Sequence, residues 1–343
     1  MDFYVRKTVI VTGASGLIGS HLIEQLMKID GVYVIAMSRN EKKLKAIFGK
    51  YLLSSRLTIL AHDISLPFPQ IDRSVDFIFH AASPISGQSI LESPVDVIEA
   101  NIIGTKNCLE FLKNQQISTG IRGRLAVFSS ATIYANEGER DRIVSEEETS
   151  IVDVLDAPSA PYSESKRMTE VLVKAYYKQY NVDSVIARCS YVYGYSYFAP
   201  NTAFYEFIDR ACAGKNILIK NGNMAKRDNI YVDDVVEGML YLGTYGESAN
   251  SYNLSSGGEM GNFVAADEMA YIIVETINRE FGSNVEIHYE TAKCQSRKPG
   301  IILDNSKIKS LGWSPKTSIE QGILETIKKY KQFGIYKYVG GKC

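Results

Sequence analysis

Residues 8–21 hold the feature that most constrains the fold, an apolar β-branched run followed at once by closely spaced glycines. The run Thr-Val-Ile-Val-Thr leads into Gly13, Gly16 and Gly19, which open an apolar helical pattern. Gly13 permits a tight turn off a strand, Gly16 removes a Cβ where a pyrophosphate would approach, and Gly19 lets the helix pack closely on a sheet. The N-terminus of such a helix offers N–H groups and partial positive charge to phosphates. The pattern therefore predicts a dinucleotide-binding turn.

Strand-like and helix-like patterns alternate through the first half of the chain. The strand-like runs, rich in β-branched and aliphatic residues, are 8–12, 32–37, 57–61, 75–80, 124–130 and 184–189. The helical patterns between them are 17–29, 41–48, 90–114 and 163–181. Alternation of this kind predicts an α/β fold with a Rossmann-type, doubly wound parallel sheet.

The domain division follows from where this alternation stops. We expect residues 1–189 to form an NAD(P)-binding domain, with a return segment near 229–245. The pattern beyond is irregular and rich in Gly and Asn turns, so residues 190–343 are expected to form mainly a smaller, C-terminal substrate-binding domain. The polar, acidic stretch 136–158 is predicted to be an exposed insertion, either a lid or a plain loop.

Composition and charge argue against several classes of function. The chain has 343 residues, 45% of them hydrophobic, and a formal net charge of −1 without a Lys/Arg run, so we expect no nucleic-acid partner. The five cysteines lack CxxC spacing and the four histidines lack metal-ligand spacing, which predicts reduced thiols, a cytoplasmic location and no metal site. No segment of about 18 apolar residues occurs, so no membrane association is expected.

A phenol and an ammonium are placed for acid–base chemistry in the run Tyr-Ser-Glu-Ser-Lys. Tyr162 and Lys166 are four residues apart on one helical face, and a nearby cation is expected to lower the pKa of the phenol towards neutrality. Tyr162 is then a candidate proton donor or acceptor at a carbinol or carbonyl oxygen. Ser130 and Thr132 follow the fifth strand at the edge where such sheets bind ligands, and either hydroxyl could hydrogen-bond a reacting oxygen.

Taken together, these motifs resemble the extended short-chain dehydrogenases/reductases that act on nucleotide sugars, of the NAD-dependent epimerase/dehydratase family. The resemblance covers nearly the whole chain. It rests on TGASGLIGSHL (12–22), HAAS (80–83), NIIGT (101–105), SSATIY (129–134), YSESK (162–166), RCSYVYG (188–194), RDNIYVDDVV (227–236) and LGWSPK (311–316).

The resemblance implies a role for each matching residue. Tyr162 is implied as the acid/base, Lys166 as the anchor of the nicotinamide ribose and Ser130 as the ligand of the sugar oxygen, with Thr132 beside it. Pyrophosphate contacts are implied for Gly13, Ser15, Gly16, Leu17, Ile18 and Gly19. Further cofactor contacts are implied for Asp63, Ile64, Ala81, Ala82, Asn101 and Cys189. Arg227 is implied as a contact of the substrate diphosphate, and a homodimer is implied that pairs 90–114 and 163–181 with their symmetry mates. Ser83, Tyr191 and Arg297 are further candidate substrate contacts.

Departures from the family pattern narrow the range of reactions that this chain is expected to catalyse. Relatives that dehydrate dTDP-glucose carry an Asp-Glu pair where this chain has Ala131 and Thr132, so the acid and base of elimination are missing. The missing glutamate also weakens a decarboxylase interpretation, whereas Ser-Ala-Thr resembles UDP-galactose 4-epimerase. Tyr191 occupies a position where relatives usually carry a substrate-binding asparagine. Pro299 and Gly300 stand near the positions where the dehydratases carry a pair of arginines, for which Arg297 and Lys298 could substitute.

The end of the second strand bears on the cofactor. It reads Ser38-Arg39 and lacks the acidic residue that accepts a hydrogen bond from the adenine ribose of NAD. Ser38 and Arg39 could instead bind a 2′-phosphate, so the sequence favours NADP over NAD, unless Arg39 is simply solvated. Use of NADPH as the cofactor in turn favours 4-keto-sugar reduction as the activity of this chain. A nucleotide-sugar 4-epimerase with tightly bound NAD stays open, as does a non-catalytic regulator that senses the cofactor.

Overall fold

The computed structural model describes residues 2–84, 87–134, 140–148, 155–219, 225–290 and 299–334. Its strands are β1 (Thr8–Thr12), β2 (Tyr33–Ser38), β3 (Leu57–Ala61), β4 (Phe77–His80), β5 (Arg124–Ser130), β6 (Arg142–Val144), β7 (Asp183–Cys189), β8 (Tyr191–Tyr193), β9 (Ile217–Ile219), β10 (Arg227–Tyr231), β11 (Ser251–Leu254), β12 (Phe263–Val264), β13 (Ile287–Tyr289) and β14 (Ile301–Leu303).

The helices of the described residues are α1 (Leu17–Leu26), α2 (Glu41–Phe48), α3 (Gly87–Glu92), α4 (Pro94–Ile98), α5 (Gly104–Thr119), α6 (Ala160–Tyr180), α7 (Ala203–Cys212), α8 (Val232–Tyr245), α9 (Ala266–Phe281), α10 (Ser306–Ser310) and α11 (Ile319–Phe333). A π-helical turn spans Glu99–Ile103, and short 3₁₀ turns span Asp2–Tyr4, Gly49–Tyr51 and Ala131–Ile133.

The large sheet is parallel, as the alternating pattern predicted. Within the described residues it has seven strands in the order β11-β7-β5-β4-β1-β2-β3. Side chains alternate between its faces: Val9 and Val11 pack on the side of α1 and α8, whereas Ile10 packs on the side of α5 and α6. Helices cover both faces, so the strands are buried on two sides and carry almost continuous apolar runs. This confirms the Rossmann-type α/β fold class.

Two elements of the C-terminal half join the large sheet. β11 pairs in parallel with β7, and α8 packs against β5 and β7. β11 was not among the predicted strands, because Ser-Tyr-Asn-Leu is short and contains two polar residues. It is nevertheless fully buried, since tertiary packing overrides the weak strand preference of Ser and Asn.

The helical pattern 90–114 is interrupted, which corrects the expectation of one long helix. α3 ends at Glu92, Pro94 begins α4, and the π-helical turn leads into α5. Proline has no N–H and its ring clashes with the preceding turn, so it is tolerated at a helix start and not inside a helix.

The remaining elements form a second, smaller unit. Its sheet has the order β12-β10-β14-β6 with β8 beside β10, and α7, α9 and α11 pack around Ile208, Ile273 and Ile323. β6 belongs to the stretch 136–158, so part of the predicted insertion is a strand paired with β14; residues 135–139 and 149–154 lie outside the described residues. None of the described helices is both long and apolar enough to cross a membrane.

Candidate active site

The carboxyl ends of the central strands bring most of the predicted site residues to one edge of the sheet. Thr12 at the end of β1 pairs with His80 at the end of β4, and Ser130 at the end of β5 pairs with Cys189 at the end of β7. The connection after β1 leads to β2 on one side of the sheet, and the connection after β4 leads to β5 on the other side. Open α/β sheets bind ligands in the crevice at such a switch point.

The glycine turn between β1 and α1 is required by close backbone contacts. Gly13 has φ +64°, and a Cβ there would lie 2.5 Å from the carbonyl oxygen of Ala81. A Cβ on Gly19 would overlap the carbonyl oxygen of Gly13. Gly16 is exposed, and a Cβ there would meet only the Gly13 carbonyl oxygen, at 3.2 Å. The turn thus has two glycines fixed by packing and one that keeps the backbone open to a ligand.

This open face lies at the start of α1. Helical geometry leaves the first N–H groups, those of Leu17 and Ile18, without partners inside the helix, and they carry the positive end of its dipole. Ser15 extends the same face, and its Oγ is 2.8 Å from the Oγ of Ser38 at the end of β2. The second strand is therefore tied directly to the turn.

Arg39 and Asp63 lie beyond the ends of β2 and β3. Arg39 is exposed. Partial burial would raise the pKa of Asp63, but hydrogen bonds from the backbone N–H (3.0 Å) and hydroxyl (2.8 Å) of Ser65, with the charge of Arg39, hold that pKa below its usual range. Ile64 is buried, and its carbonyl oxygen accepts a hydrogen bond from Asn107. The structure thus brings Arg39 close to a carboxylate.

Tyr162 and Lys166 lie on the first turns of α6 beside the end of β5. The Ser130 hydroxyl is close enough to the phenol to lower its pKa. Lys166 is buried, its Nζ donates to the carbonyl oxygen of Phe128 at 2.7 Å, and the same atom lies 5.7 Å from the centre of the Tyr162 ring. The predicted pair therefore meets Ser130 at the sheet edge.

Burial sets the protonation of this pair. Desolvation raises the pKa of Tyr162 to about 12, and the Ser130 hydroxyl offsets this only in part. Desolvation also lowers the pKa of Lys166 to about 8. The expectation that Lys166 brings the phenol towards neutrality is wrong for this cofactor-free structure, because the ammonium is directed to the Phe128 carbonyl and both groups are desolvated.

Hydroxyl groups surround Ser130. The Thr132 N–H and hydroxyl both donate to the Ser130 Oγ, at 3.2 and 3.1 Å. Ala131 and Thr132 begin a 3₁₀ turn that Ser130 caps, so the two positions after Ser130 carry no carboxylate. The Ser130 oxygen can accept from Thr132 while donating to a bound oxygen.

Asn101 lies in the π-helical turn behind Tyr162. Its side-chain amide donates to the Ser165 hydroxyl at 2.8 Å, and its carbonyl oxygen accepts from the hydroxyls of Thr105 and Thr169. Its Oδ1 is buried and has no hydrogen-bond partner within the described residues. A buried acceptor left in this way needs a ligand or water donor. π-helical turns are frequent at functional sites.

His80 is buried at the end of β4 and is neutral. Burial lowers its pKa to about 3, and its Nδ1 lies 2.8 Å from the Thr12 hydroxyl, which also accepts from the Ala82 N–H. Ala81 and Ala82 are thereby held beside Gly13. The Ser83 hydroxyl that follows is buried without a partner in the described part of the chain.

Tyr191 and Arg227 form the side of the site that faces the smaller unit. β8 and β10 run in parallel, and the Arg227 guanidinium carbon lies 4.4 Å from the centre of the Tyr191 ring. Tyr191 is 42% exposed and near enough to Tyr162 to raise the pKa of that phenol. Arg297 lies outside the described residues.

A buried polar network beneath Ser130 escaped the sequence analysis. Arg188 of β7 pairs with Glu170 of α6, at 2.8 Å between Nη2 and Oε2, and donates to the hydroxyl of Tyr134. The signals in the sequence are the places of Tyr134 and Arg188 at the ends of two of the motifs and the spacing of Glu170, four residues after Lys166. That spacing places the glutamate on the same helical face as the predicted pair.

Comparison with known proteins identifies relatives of the whole arrangement. Residues 9–255 match the model of the NAD dependent epimerase/dehydratase family. UDP-glucuronic acid decarboxylase 6 of Arabidopsis thaliana is 28% identical over 327 residues, which cover 94% of this chain and 88% of the relative. dTDP-glucose 4,6-dehydratase of Escherichia coli is 26% identical over 343 residues, covering 94% and 93% of the two chains.

A solved structure shows the same fold. UDP-glucuronic acid 4-epimerase from Bacillus cereus, in complex with UDP-glucuronic acid and NAD, superposes with a TM-score of 0.75 at 24% identity. The match covers 95% of this chain and 99% of that one. At this level of identity, the match shows that the two proteins share a fold.

The residues of the edge fit a dinucleotide. An added Cβ would strain Gly13 and collide at Gly19, Gly16 leaves open backbone at the helix start, and the buried Asn101 Oδ1 still needs a hydrogen-bond donor. These features have a direct use in holding a pyrophosphate and a ribose.

Substitution of Gly16 tests this fit. Gly16→Ala is expected to weaken NAD(P) binding about tenfold or more, because it adds a Cβ to the exposed backbone at the start of α1. It should lower the melting temperature of the cofactor-free protein only slightly, whereas Gly19→Ala should lower it strongly, because the Cβ at Gly19 would overlap the Gly13 carbonyl oxygen and the Cβ at Gly16 would lie 3.2 Å from it. Calorimetric titration and thermal melts measure both. Unchanged binding by the Gly16 variant would contradict the assignment of the turn.

Proposed function

The chain belongs to the NAD dependent epimerase/dehydratase family, and from this premise we propose that it reduces the 4-keto group of a nucleotide-linked sugar with NADPH. It is an enzyme of the extended short-chain dehydrogenase/reductase type, a group whose members modify nucleotide sugars. The observation that carries the proposal is the hydroxyl cluster of Ser130, Thr132 and Tyr162, with no carboxylate at the two positions after Ser130.

Elimination chemistry fits this cluster poorly. Loss of water from a sugar needs one group that removes a carbon-bound proton and another that protonates the leaving hydroxyl. Neither the methyl of Ala131 nor the hydroxyl of Thr132 can remove a proton near neutral pH. Proton transfer to or from one oxygen, which needs only Tyr162, is the chemistry that remains.

Tyr162, Ser130 and Lys166 each have a distinct role in the proposed carbonyl reduction. NADPH, when bound, supplies the hydride. Tyr162 keeps its proton at neutral pH because burial holds its pKa near 12, so the phenol is ready to donate to a carbonyl oxygen. The Ser130 hydroxyl lies beside the phenol and orients that oxygen. Lys166, with a pKa of about 8, is mostly charged at neutral pH and stabilises the phenolate left behind.

The nucleotide of the substrate is proposed to bind at the Tyr191 and Arg227 pair. A guanidinium presents a fork of donors that matches diphosphate oxygens, and stacking on Tyr191 limits its motion. Ser83 and Arg297 are proposed to complete the contacts. The Escherichia coli relative acts on a dTDP-sugar, and the Bacillus cereus structure holds a UDP-sugar. Both are sugars linked to a pyrimidine nucleoside diphosphate.

The reductase and its alternative, the 4-epimerase, differ in the fate of the hydride. We expect the purified enzyme to oxidise NADPH in a one-to-one ratio with a nucleotide-linked 4-keto-6-deoxyhexose, followed by the absorbance of the reduced nicotinamide. It is expected not to interconvert UDP-glucose and UDP-galactose. Tightly bound NAD with redox-neutral inversion at C4 would instead establish the epimerase. Lack of hydride exchange with any such sugar would favour a cofactor-sensing regulator.

The control for this assay removes only the phenolic hydroxyl. Tyr162→Phe should lower kcat by roughly 10²- to 10⁴-fold and leave cofactor affinity nearly unchanged, because the ring still packs and only the proton donor is lost. Turnover at the wild-type rate would remove Tyr162 from the mechanism.

The preference for NADP is proposed from the end of β2. Ser38 offers a hydroxyl and Arg39 an exposed guanidinium, and neither would repel a 2′-phosphate. One observation favours the epimerase with NAD instead: Arg39 is close enough to Asp63 to lower its pKa, so part of its charge is already compensated.

Arg39→Asp decides between these cofactors. If Arg39 binds the 2′-phosphate, the variant should shift the ratio of NADP to NAD affinity by about 2 kcal/mol or more towards NAD, because a charge partner becomes a repelling group. The matched control is Lys45→Asp, which makes the same charge change on the exposed face of α2. Equal ratios in wild type and both variants would show that Arg39 faces solvent.

A homodimer is proposed from an exposed apolar face on α4, α6 and the π-helical turn. The residues of this face are 38–62% exposed although they are aliphatic: Val95, Ile98, Ile103, Met168 and Val171. A second copy bringing the same face would bury them in an isologous four-helix contact.

The free thiols of Cys108, Cys189 and Cys212 agree with the proposed cytoplasmic location.

Charge introduced on this face should separate the protomers. Val171→Glu is expected to convert a dimer to a monomer in light scattering at micromolar concentration, because an unpaired carboxylate would be buried at the contact. Leu53→Glu alters a fully exposed leucine elsewhere and should leave the mass unchanged. A monomeric wild-type protein would refute the proposed assembly.

A further inference from the structure

A buried polar cluster lies directly beneath the turn that carries Ser130. We call it the Tyr134 junction and define it by Tyr134, Glu170, Arg188, Ser251 and Asn253, none of which is more than 9% exposed. The proposed reaction uses none of these side chains. Buried polar networks cost free energy unless every member is satisfied, so a complete network holds its parts in one arrangement.

The ion pair of the junction fixes α6 against the large sheet. Arg188 donates through Nε to the Glu170 Oε1 at 3.0 Å and through Nη2 to the Oε2 at 2.8 Å, a bidentate contact. The hydroxyl of Ser251 on β11 donates to the same Oε2 at 3.0 Å. Glu170 follows Tyr162 and Lys166 at a spacing of four residues, so all three lie on one face of α6. The contact therefore fixes the rotation of α6 about its axis and its position along that axis, and with them the placement of Tyr162 and Lys166.

Tyr134 carries the constraint to the catalytic turn. Its hydroxyl accepts from Arg188 Nη1 at 2.8 Å and donates to the Asn253 Oδ1 at 2.7 Å. Its backbone N–H donates to the Ala131 carbonyl oxygen, which closes the 3₁₀ turn that Ser130 caps. The residue that ends the turn is therefore bound, through one phenol, to both β7 and β11.

Asn253 extends the junction to the smaller unit. Its side-chain amide donates to the Val144 carbonyl oxygen at 3.1 Å and to the Asp304 carbonyl oxygen at 3.0 Å, beside β6 and β14. Its backbone N–H donates to the Glu146 carboxylate at 2.7 Å. One network thus joins α6, the Ser130 turn and the two sheets.

We propose that Tyr134 and Arg188 are positioning residues that hold the Ser130 hydroxyl against the Tyr162 phenol by locking the turn after β5 to α6. This inference rests on the proposed function, in which Ser130 orients the oxygen that Tyr162 protonates. The two catalytic hydroxyls stand on different elements, the end of β5 and the start of α6. Besides the direct contact of Lys166 with the Phe128 carbonyl, Arg188 links the turn after β5 to α6 through side chains, by way of Tyr134 and Glu170.

A matched pair of variants tests the proposal. Tyr134→Phe removes the link between the junction and the turn, whereas Ser251→Ala removes a buried hydrogen bond on the other side of Glu170. Both variants should lower the melting temperature. Only Tyr134→Phe is expected to lower kcat, by roughly 10- to 100-fold, with the KM for the cofactor unchanged, because misplacement of a catalytic group acts on the chemical step. Equal kcat values in the two variants would overturn the proposal.

A second readout does not depend on the reaction. Amide hydrogen exchange of residues 130–134 in the cofactor-free protein should be faster in Tyr134→Phe than in wild type and unchanged in Ser251→Ala, because only the first variant releases the turn. Equal protection in all three proteins would overturn the positioning role, whatever the enzyme catalyses. If the wild type fails to reduce any keto sugar but the exchange pattern holds, the proposed function fails and the junction stands.

Discussion

The backbone contact between Gly13 and Ala81 is the constraint on which the site depends. It brings the end of β1 against the segment after β4, at the point where the connections of the sheet diverge. Gly19 in turn packs its helix onto the Gly13 carbonyl, so α1 starts at that same point. Neither contact leaves room for a Cβ. The helix N-terminus therefore lies beside the crevice, where fixed N–H groups are available to an anionic ligand.

Burial sets the protonation of Tyr162 and Lys166 before any ligand arrives. Desolvation moves the pKa of Tyr162 upward and that of Lys166 downward, because both charged forms lose water at the edge of β5. The phenol then keeps its proton at neutral pH, and Lys166, with its pKa lowered to about 8, stays mostly charged. A bound ligand would add its own charge and dipoles to these energies. Proton donation is consequently the role this environment supports most directly.

The environment of Ser130 offers hydroxyl groups and, at the next two positions of the chain, no carboxylate. The Thr132 hydroxyl donates to Ser130, the Tyr162 phenol lies close to Ser130, and Tyr134 anchors the turn through its hydroxyl. Such a cluster can orient one oxygen and exchange one proton with it. On the side that faces the smaller unit, the Arg227 guanidinium stacks on the ring of Tyr191. The hydroxyl cluster and this stack both lie near the ends of strands.

The sequence by itself determined the parallel sheet, the glycine turn and the Tyr162–Lys166 pair, because these depend on local periodicity and on spacings within one element. It could not determine β11, the π-helical turn or the Arg188–Glu170–Tyr134 contacts. These contacts join residues separated by 18 to more than 50 positions, and no local pattern encodes which buried polar groups will meet. The pKa shifts also belong to the tertiary structure. A lysine four residues from a tyrosine suggests a lowered phenol pKa, but burial, which only the packed fold creates, reverses the direction.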